Sequence, residues 1–236
     1  MAPPTVEELC KMFDNSVLFA NATEADMIHG IEETKKYKCG VFVTQPFRVK
    51  QAVKLLEGTG IPVQCWVSLP HGLDTTTTKV SIAKQALEEG AGELDMVVNI
   101  SALKSGDWEY VEQDLRAVVE TAKPYNVVVK AIIEVFWLTD EEITKVCKTA
   151  VKAGCGFIKT SSGYRVDDPD RIEHAIKLIR AAVGPNIGIK ASGATWSLKN
   201  ILRYLKVGAT RFGVGPAEKL VEEYKVKLKE GTTGLE

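Results

Sequence analysis

No apolar run in the chain approaches the ~18 residues needed to span a bilayer. The opening Met1-Ala-Pro-Pro-Thr-Val-Glu-Glu also lacks a charged and then apolar leader pattern, so a cytoplasmic protein is expected. Positive charge is not in surplus. Thirty basic against thirty-one acidic side chains leave a formal charge of −1, which offers no footprint for nucleic acid or an anionic membrane. The five cysteines, Cys10, Cys39, Cys65, Cys147 and Cys155, are odd in number and scattered, with no Cys-x-x-Cys pair. They read as reduced core or boundary residues rather than a disulfide framework. Histidines and carboxylates do not cluster at ligand spacing, so no metal site is expected. No Pro/Ser/Gly linker divides the 236 residues, and no glycine-rich dinucleotide turn follows the first predicted strand.

What is present is an alternation. A hydrophobic content of 45% suffices for one large core. Short apolar runs rich in β-branched residues lie near 13–18, 40–43, 62–67, 93–98, 127–133, 156–159, 187–190 and 210–213, separated by segments of helical periodicity. Eight such units predict a (β/α)8 TIM barrel in a single domain, 1–236: a short N-terminal helix within 1–12, the barrel over 13–229, and a loose tail at 230–236. An open doubly wound sheet shares the local pattern but lacks its dinucleotide turn. Gly90, Gly154 and Gly208 stand where helices should end. Thr139 with Glu142 predicts a capping box, and Pro169 and Pro216 suit first-turn positions.

Two lysines close apolar runs. Gly156-Phe157-Ile158-Lys159 opens onto Thr160-Ser161-Ser162-Gly163, and Ile187-Gly188-Ile189-Lys190 opens onto Ala191-Ser192-Gly193. Burying an ammonium costs several kcal/mol, so two at the ends of buried strands require a reason. One reason is chemistry. Lysine attacks a carbonyl only as the free amine, and a neighbouring ammonium in a dry pocket favours that form. A pKa depression of about three units raises the neutral fraction roughly a thousandfold. The other reason is structural, with lysines solvated at a barrel mouth or paired with Asp95 or Glu134 in a buried network. Asp95 shares a strand face with Val97 and Asn99, where it serves either to shuttle protons or to pair with Lys130 or Lys190. Asp14, Asp95, Lys159 and Lys190 are all expected at the C-terminal ends of strands, where barrel enzymes work. Lys130 and Glu134 read as supporting charges on one face. His71 reads as structural, and His29 and His174 as solvent-facing.

The ordered set Phe13-Asp14-Asn15-Ser16-Val17-Leu18, Leu69-Pro70-His71-Gly72, Gly92-Glu93-Leu94-Asp95-Met96-Val97-Val98-Asn99, Lys130-Ala131-Ile132-Ile133-Glu134, Phe157-Ile158-Lys159-Thr160-Ser161-Ser162-Gly163 and Ile189-Lys190-Ala191-Ser192-Gly193 resembles the deoxyribose-phosphate aldolase family. The resemblance implies a class I aldolase that cleaves 2-deoxy-D-ribose 5-phosphate reversibly to acetaldehyde and D-glyceraldehyde 3-phosphate. Lys159 would form the Schiff base, Lys190 would lower its pKa and assist proton transfer, and Asp95 would relay protons through water. Substrate contacts would come from Asp14, Thr160, Ser162, Gly163, Ser192, Gly193, Gly213 and Gly215. No dissociable cofactor or metal is implied. The partners implied are a small aldehyde or sugar phosphate and a second copy in a homodimer, within deoxyribonucleotide catabolism.

Departures from the family concentrate where phosphate would bind. The usual S-G-G-[IV]-R is Ser192-Gly193-Ala194-Thr195-Trp196 here, and the usual G-[AT]-S-S is Gly213-Val214-Gly215-Pro216. Asn15 and Ser16 replace a His-Thr pair, and no tyrosine ends the chain, although Tyr224 lies in the last predicted helix. Arg165 is a candidate replacement cation. Two rivals follow: a paralogue using the same lysine on an unphosphorylated or bulkier acceptor, with Trp196 in the arginine's space, and a non-catalytic binding barrel.

Overall fold

A computed structural model describes residues 2–164 and 168–235. Eight parallel strands, β1 (Phe13–Val17), β2 (Val41–Thr44), β3 (Val63–Val67), β4 (Glu93–Val97), β5 (Val128–Ile132), β6 (Phe157–Lys159), β7 (Gly188–Ala191) and β8 (Arg211–Val214), pair in sequence order and close through β1 and β8. The expected (β/α)8 barrel is therefore present, with each predicted run supplying one strand. Helix α1 (Val6–Lys11) precedes it, and α2 (Glu24–Tyr37), α3 (Val49–Leu55), α4 (Thr76–Glu88), α5 (Ile100–Lys104), α6 (Trp108–Ala122), α7 (Asp140–Ala153), α8 (Pro169–Val183), α9 (Leu198–Lys206) and α10 (Ala217–Glu230) surround it.

The period of two along each strand sorts residues into two layers. Phe42, Leu94, Ile158, Ile189 and Phe212 join the apolar layer beneath the helices. The alternate positions Asp14, Gln64, Asp95, Lys130, Lys159 and Lys190 meet one another through hydrogen bonds and are buried to the same degree. On the other side of that layer, α7 answers with a stripe of Ile143, Val146, Cys147, Ala150 and Ala153, spaced as one helical face. Its Thr139–Glu142 capping box is formed reciprocally, and Gly154 ends it in the left-handed region at φ 101°. Gly90 and Gly208 adopt the same region just past α4 and α9.

Three details differ from the expectation. Pro216 is the residue before α10, not one within its first turn. The segment after Gly231 packs rather than hanging loose, because Leu235 is 1% exposed within the core. Asp14 and Asp95 lie in the second and third positions of their strands, below the C-terminal ends. The five cysteines are free and buried, and among the described residues no helix is long and apolar enough to cross a membrane.

Candidate active site

Register places the two lysines side by side, since Lys159 of β6 and Lys190 of β7 are direct partners in the ladder. Both ammonium groups reach across the barrel to one carboxylate oxygen: Asp95 Oδ2 accepts from Lys159 Nζ at 2.8 Å and from Lys190 Nζ at 2.9 Å. Asp95 Oδ1 has no hydrogen-bond partner among the described residues, which leaves one lone-pair set of this carboxylate to take up a proton. Lys190 has further acceptors below it, Asp14 Oδ2 at 2.6 Å and Gln64 Oε1 at 3.2 Å.

These partners pull the two amines in opposite directions. Burial disfavours the charged form of Lys159; Asp95 opposes that effect and the Lys190 ammonium reinforces it, leaving the pKa down at about 8. Burial acts on Lys190 too, but Asp14 and Asp95 together outweigh it and raise its pKa. Burial would push the Asp95 carboxyl up, yet Lys159, Lys190 and Lys130 hold it well below the usual carboxylate range. One lysine is thus poised to lose a proton while its neighbour stays charged.

Above this layer, Lys159 lines a narrow cavity of about 30 Å³ with Ser162, Gly163, Ser192, Gly193 and Gly213. Five of the eight residues that the family resemblance implied as contacts therefore line one cavity with the Lys159 amine. The other three do not. Thr160 is fully buried and braces two loops, its hydroxyl donating to Ser192 O at 2.9 Å and accepting from the Ser192 amide at 2.9 Å. Gly215 lines a neighbouring outer cleft of about 340 Å³. Asp14 is sealed in the barrel, where it binds Lys130 at 3.0 Å and Arg211 as well as Lys190. Glu134 does not share a face with Lys130: it lies beyond β5 at φ 52° and accepts the Ser162 amide at 3.0 Å.

Residues 9–214 match the DeoC/LacD aldolase family. The chain belongs to that family. It is an aldolase, a carbon–carbon lyase. The chain is 40% identical over 220 residues to a deoxyribose-phosphate aldolase of Aciduliprofundum boonei, covering 91% of this chain and 96% of that relative. A putative deoxyribose-phosphate aldolase from Coccidioides immitis superposes with a TM-score of 0.88 at 30% identity, over 95% of this chain and 88% of the other. The deoxyribose phosphate aldolase from Aeropyrum pernix, described as a unique tetramer, gives 0.87 at 27% identity, over 94% and 92%.

Within this aldolase the sequence reading overlooked Gln64, Glu93 and Arg211. Gln64 Oε1 accepts from Lys130 at 2.6 Å as well as from Lys190, Glu93 binds Lys130, and Arg211 donates to Asp14 Oδ1 at 2.7 Å. A signal was available, since each is a polar residue inside a strand run at inward parity, Glu93 two before Asp95 and Arg211 two before Gly213. Arg165 falls outside the described residues. His71 and His29 are exposed, and His174 pairs with Asp140 at 2.6 Å on the surface. Among the described residues no group of three or more His, Cys, Asp or Glu is arranged to hold a metal ion.

Proposed function

We propose that this aldolase cleaves 2-deoxy-D-ribose 5-phosphate to acetaldehyde and D-glyceraldehyde 3-phosphate, and runs the reverse condensation, through an imine on Lys159. The observation that carries the reading is one buried lysine with a pKa near 8, held against a carboxylate it shares with a second, charged lysine. The neutral Nζ of Lys159 adds to C1 of the open-chain sugar, and loss of water gives an iminium. That cation withdraws the C2–C3 bonding pair once the C3 hydroxyl gives up its proton, releasing D-glyceraldehyde 3-phosphate and leaving an enamine. Protonation of the enamine at C2 and hydrolysis return acetaldehyde and the free amine. Asp95, joined to both ammonium groups and with Oδ1 unoccupied by hydrogen bonds, is suited to pass these protons through water. The chemistry uses the side chains of Lys159 and Asp95 with water and calls for no dissociable cofactor.

A second reading, in which the acceptor carries no phosphate, is favoured by the mouth of the pocket. Trp196 stacks on Phe19, their centroids 6.3 Å apart, and Tyr164 meets Phe19 at 5.6 Å while its hydroxyl donates to Leu18 O at 2.8 Å. Ala194 takes φ 51°, a left-handed conformation that glycine adopts without strain. At the start of α10, the Glu218 amide already donates to the buried Glu33 carboxylate at 2.7 Å. The deciding measurement is borohydride trapping with acetaldehyde followed by peptide mapping, paired with kcat/KM for 2-deoxyribose 5-phosphate against 2-deoxyribose. An adduct on Lys159 and a ratio of many hundredfold are expected. No adduct on Lys159 sinks the imine, and a ratio near one transfers the assignment to the unphosphorylated acceptor.

A further inference from the structure

The charges inside the barrel do not balance. β2 and β3 bring none. β1 brings Asp14; β4 brings Glu93 and Asp95; β5, β6, β7 and β8 bring Lys130, Lys159, Lys190 and Arg211. They form one continuous array. Arg211 binds Asp14 and approaches Glu93 at 3.5 Å; Lys130 joins Glu93 to Asp14; Lys190 joins Asp14 to Asp95; and Lys159 ends the array at Asp95. Among the described residues four cations face three carboxylates in this array, a surplus of one when all are ionised. Glu134, the other buried carboxylate nearby, is engaged by the Ser162 amide and forms no ion pair with the array among the described residues.

The surplus has to fall on a lysine, because a guanidinium does not shed its proton in a protein. Lys130 has Asp14, Glu93 and the Gln64 carbonyl as hydrogen-bond acceptors and a third carboxylate, Asp95, at 3.9 Å, and Lys190 has Asp14, Asp95 and the same carbonyl. Among the described residues Lys159 has Asp95 alone, and shares it. We propose that Arg211, at the N-terminal end of β8 and on the far side of the array from the cavity, is a positioning residue for catalysis: by engaging Asp14 and Glu93 it supplies the extra positive charge that makes Lys159 the amine that gives up its proton. Among the described residues Arg211 does not line the Lys159 cavity, and its charge reaches that site through Asp14 and Glu93 and, beyond them, Lys190 and Lys130.

This inference rests on Lys159 being the reacting amine, and the experiment separates the two. The pH dependence of imine trapping with acetaldehyde is measured for the intact protein and for Arg211→Met, Arg211→Lys, Glu93→Gln and the double variant R211M/E93Q. Removing the arginine charge balances the array with Lys159 protonated, so in Arg211→Met the midpoint near pH 8 moves up by about one unit, with the high-pH plateau within a few-fold of the parent. Removing a carboxylate enlarges the surplus, so Glu93→Gln moves the midpoint down. Arg211→Lys retains the parent midpoint, and the double variant returns to it. Opposite shifts that cancel are not produced by a merely structural role, and Glu93→Gln carries the test if Arg211→Met does not fold. An unmoved midpoint in the folded single variants, or shifts of the same sign, overturns the assignment of Arg211. Failure of the parent to trap acetaldehyde on Lys159 overturns the imine reading instead.

Discussion

Lys79 and Lys159 are both almost wholly buried, and they behave differently because of how their carboxylates are distributed. Lys79, on α4 behind the barrel, holds Asp114 of α6 at 2.5 Å and donates to Val97 O at 3.1 Å, while Thr76 donates to the other Asp114 oxygen at 2.8 Å. Burial lowers its proton affinity and its own Asp114 opposes the loss, so the pair is electrically closed. Lys159 is buried as deeply but divides Asp95 with Lys190, within an array that already has one cation too many. The same residue type at the same burial is a structural tie in one place and a poised amine in the other. A buried charge with a private partner mainly locks geometry, whereas one that shares its partner has chemistry available to it.

The largest test of this contrast is Lys159→Ala, which is expected to lower cleavage by at least about a thousandfold, read as kcat on the folded protein. Near-normal turnover would break the comparison outright. Next is Lys79→Met, which strands the Asp114 carboxylate in the core. It should lower unfolding free energy by about 3–5 kcal/mol in denaturant titration while kcat/KM of the folded molecules stays within about twofold. Catalytic loss without loss of stability would instead give Lys79 the role assigned to Lys159. The smallest effect concerns pH. Folded Lys159 sheds its proton near pH 8, whereas the unfolded chain keeps it to about 10.5. Between those values the unfolded state binds more protons, so stability should rise with pH, by up to about 3 kcal/mol from this group. Lys159→Met removes that rise, and an identical pH–stability slope in both proteins would place the lowered pKa elsewhere.

Much of this was legible in the chain itself. The eight runs were visible because strands buried on both faces are short, apolar and β-branched, and the helix ends at Gly154 and Thr139 were visible because capping is a local interaction. Lys159, Lys190 and Asp95 stood out as charges inside apolar runs. Arg211, Glu93 and Gln64 did not, because their significance lies in contacts with strands far away in sequence, such as Arg211 with Asp14. The family resemblance set Asp14 and Thr160 among substrate contacts, and the structure shows Asp14 bonded within the charged array and Thr160 bonded to the Ser192 backbone. Parity shows which face a side chain occupies, but not its depth in the barrel or whether its hydroxyl is already bonded to a neighbouring loop.

Strand number, helix stripes, caps and the placement of charge within apolar runs were determined by the sequence alone, because each depends on periodicities of two or 3.6 residues and on contacts a few positions apart. The tertiary structure decided that seven charged side chains from six strands would share one interior, four positive and three negative. It also decided that the least compensated of them would be the lysine facing the cavity. Ion-pair energies fall with distance and rise as water is excluded, so which amine loses its proton is set only when the closed barrel fixes every separation at once.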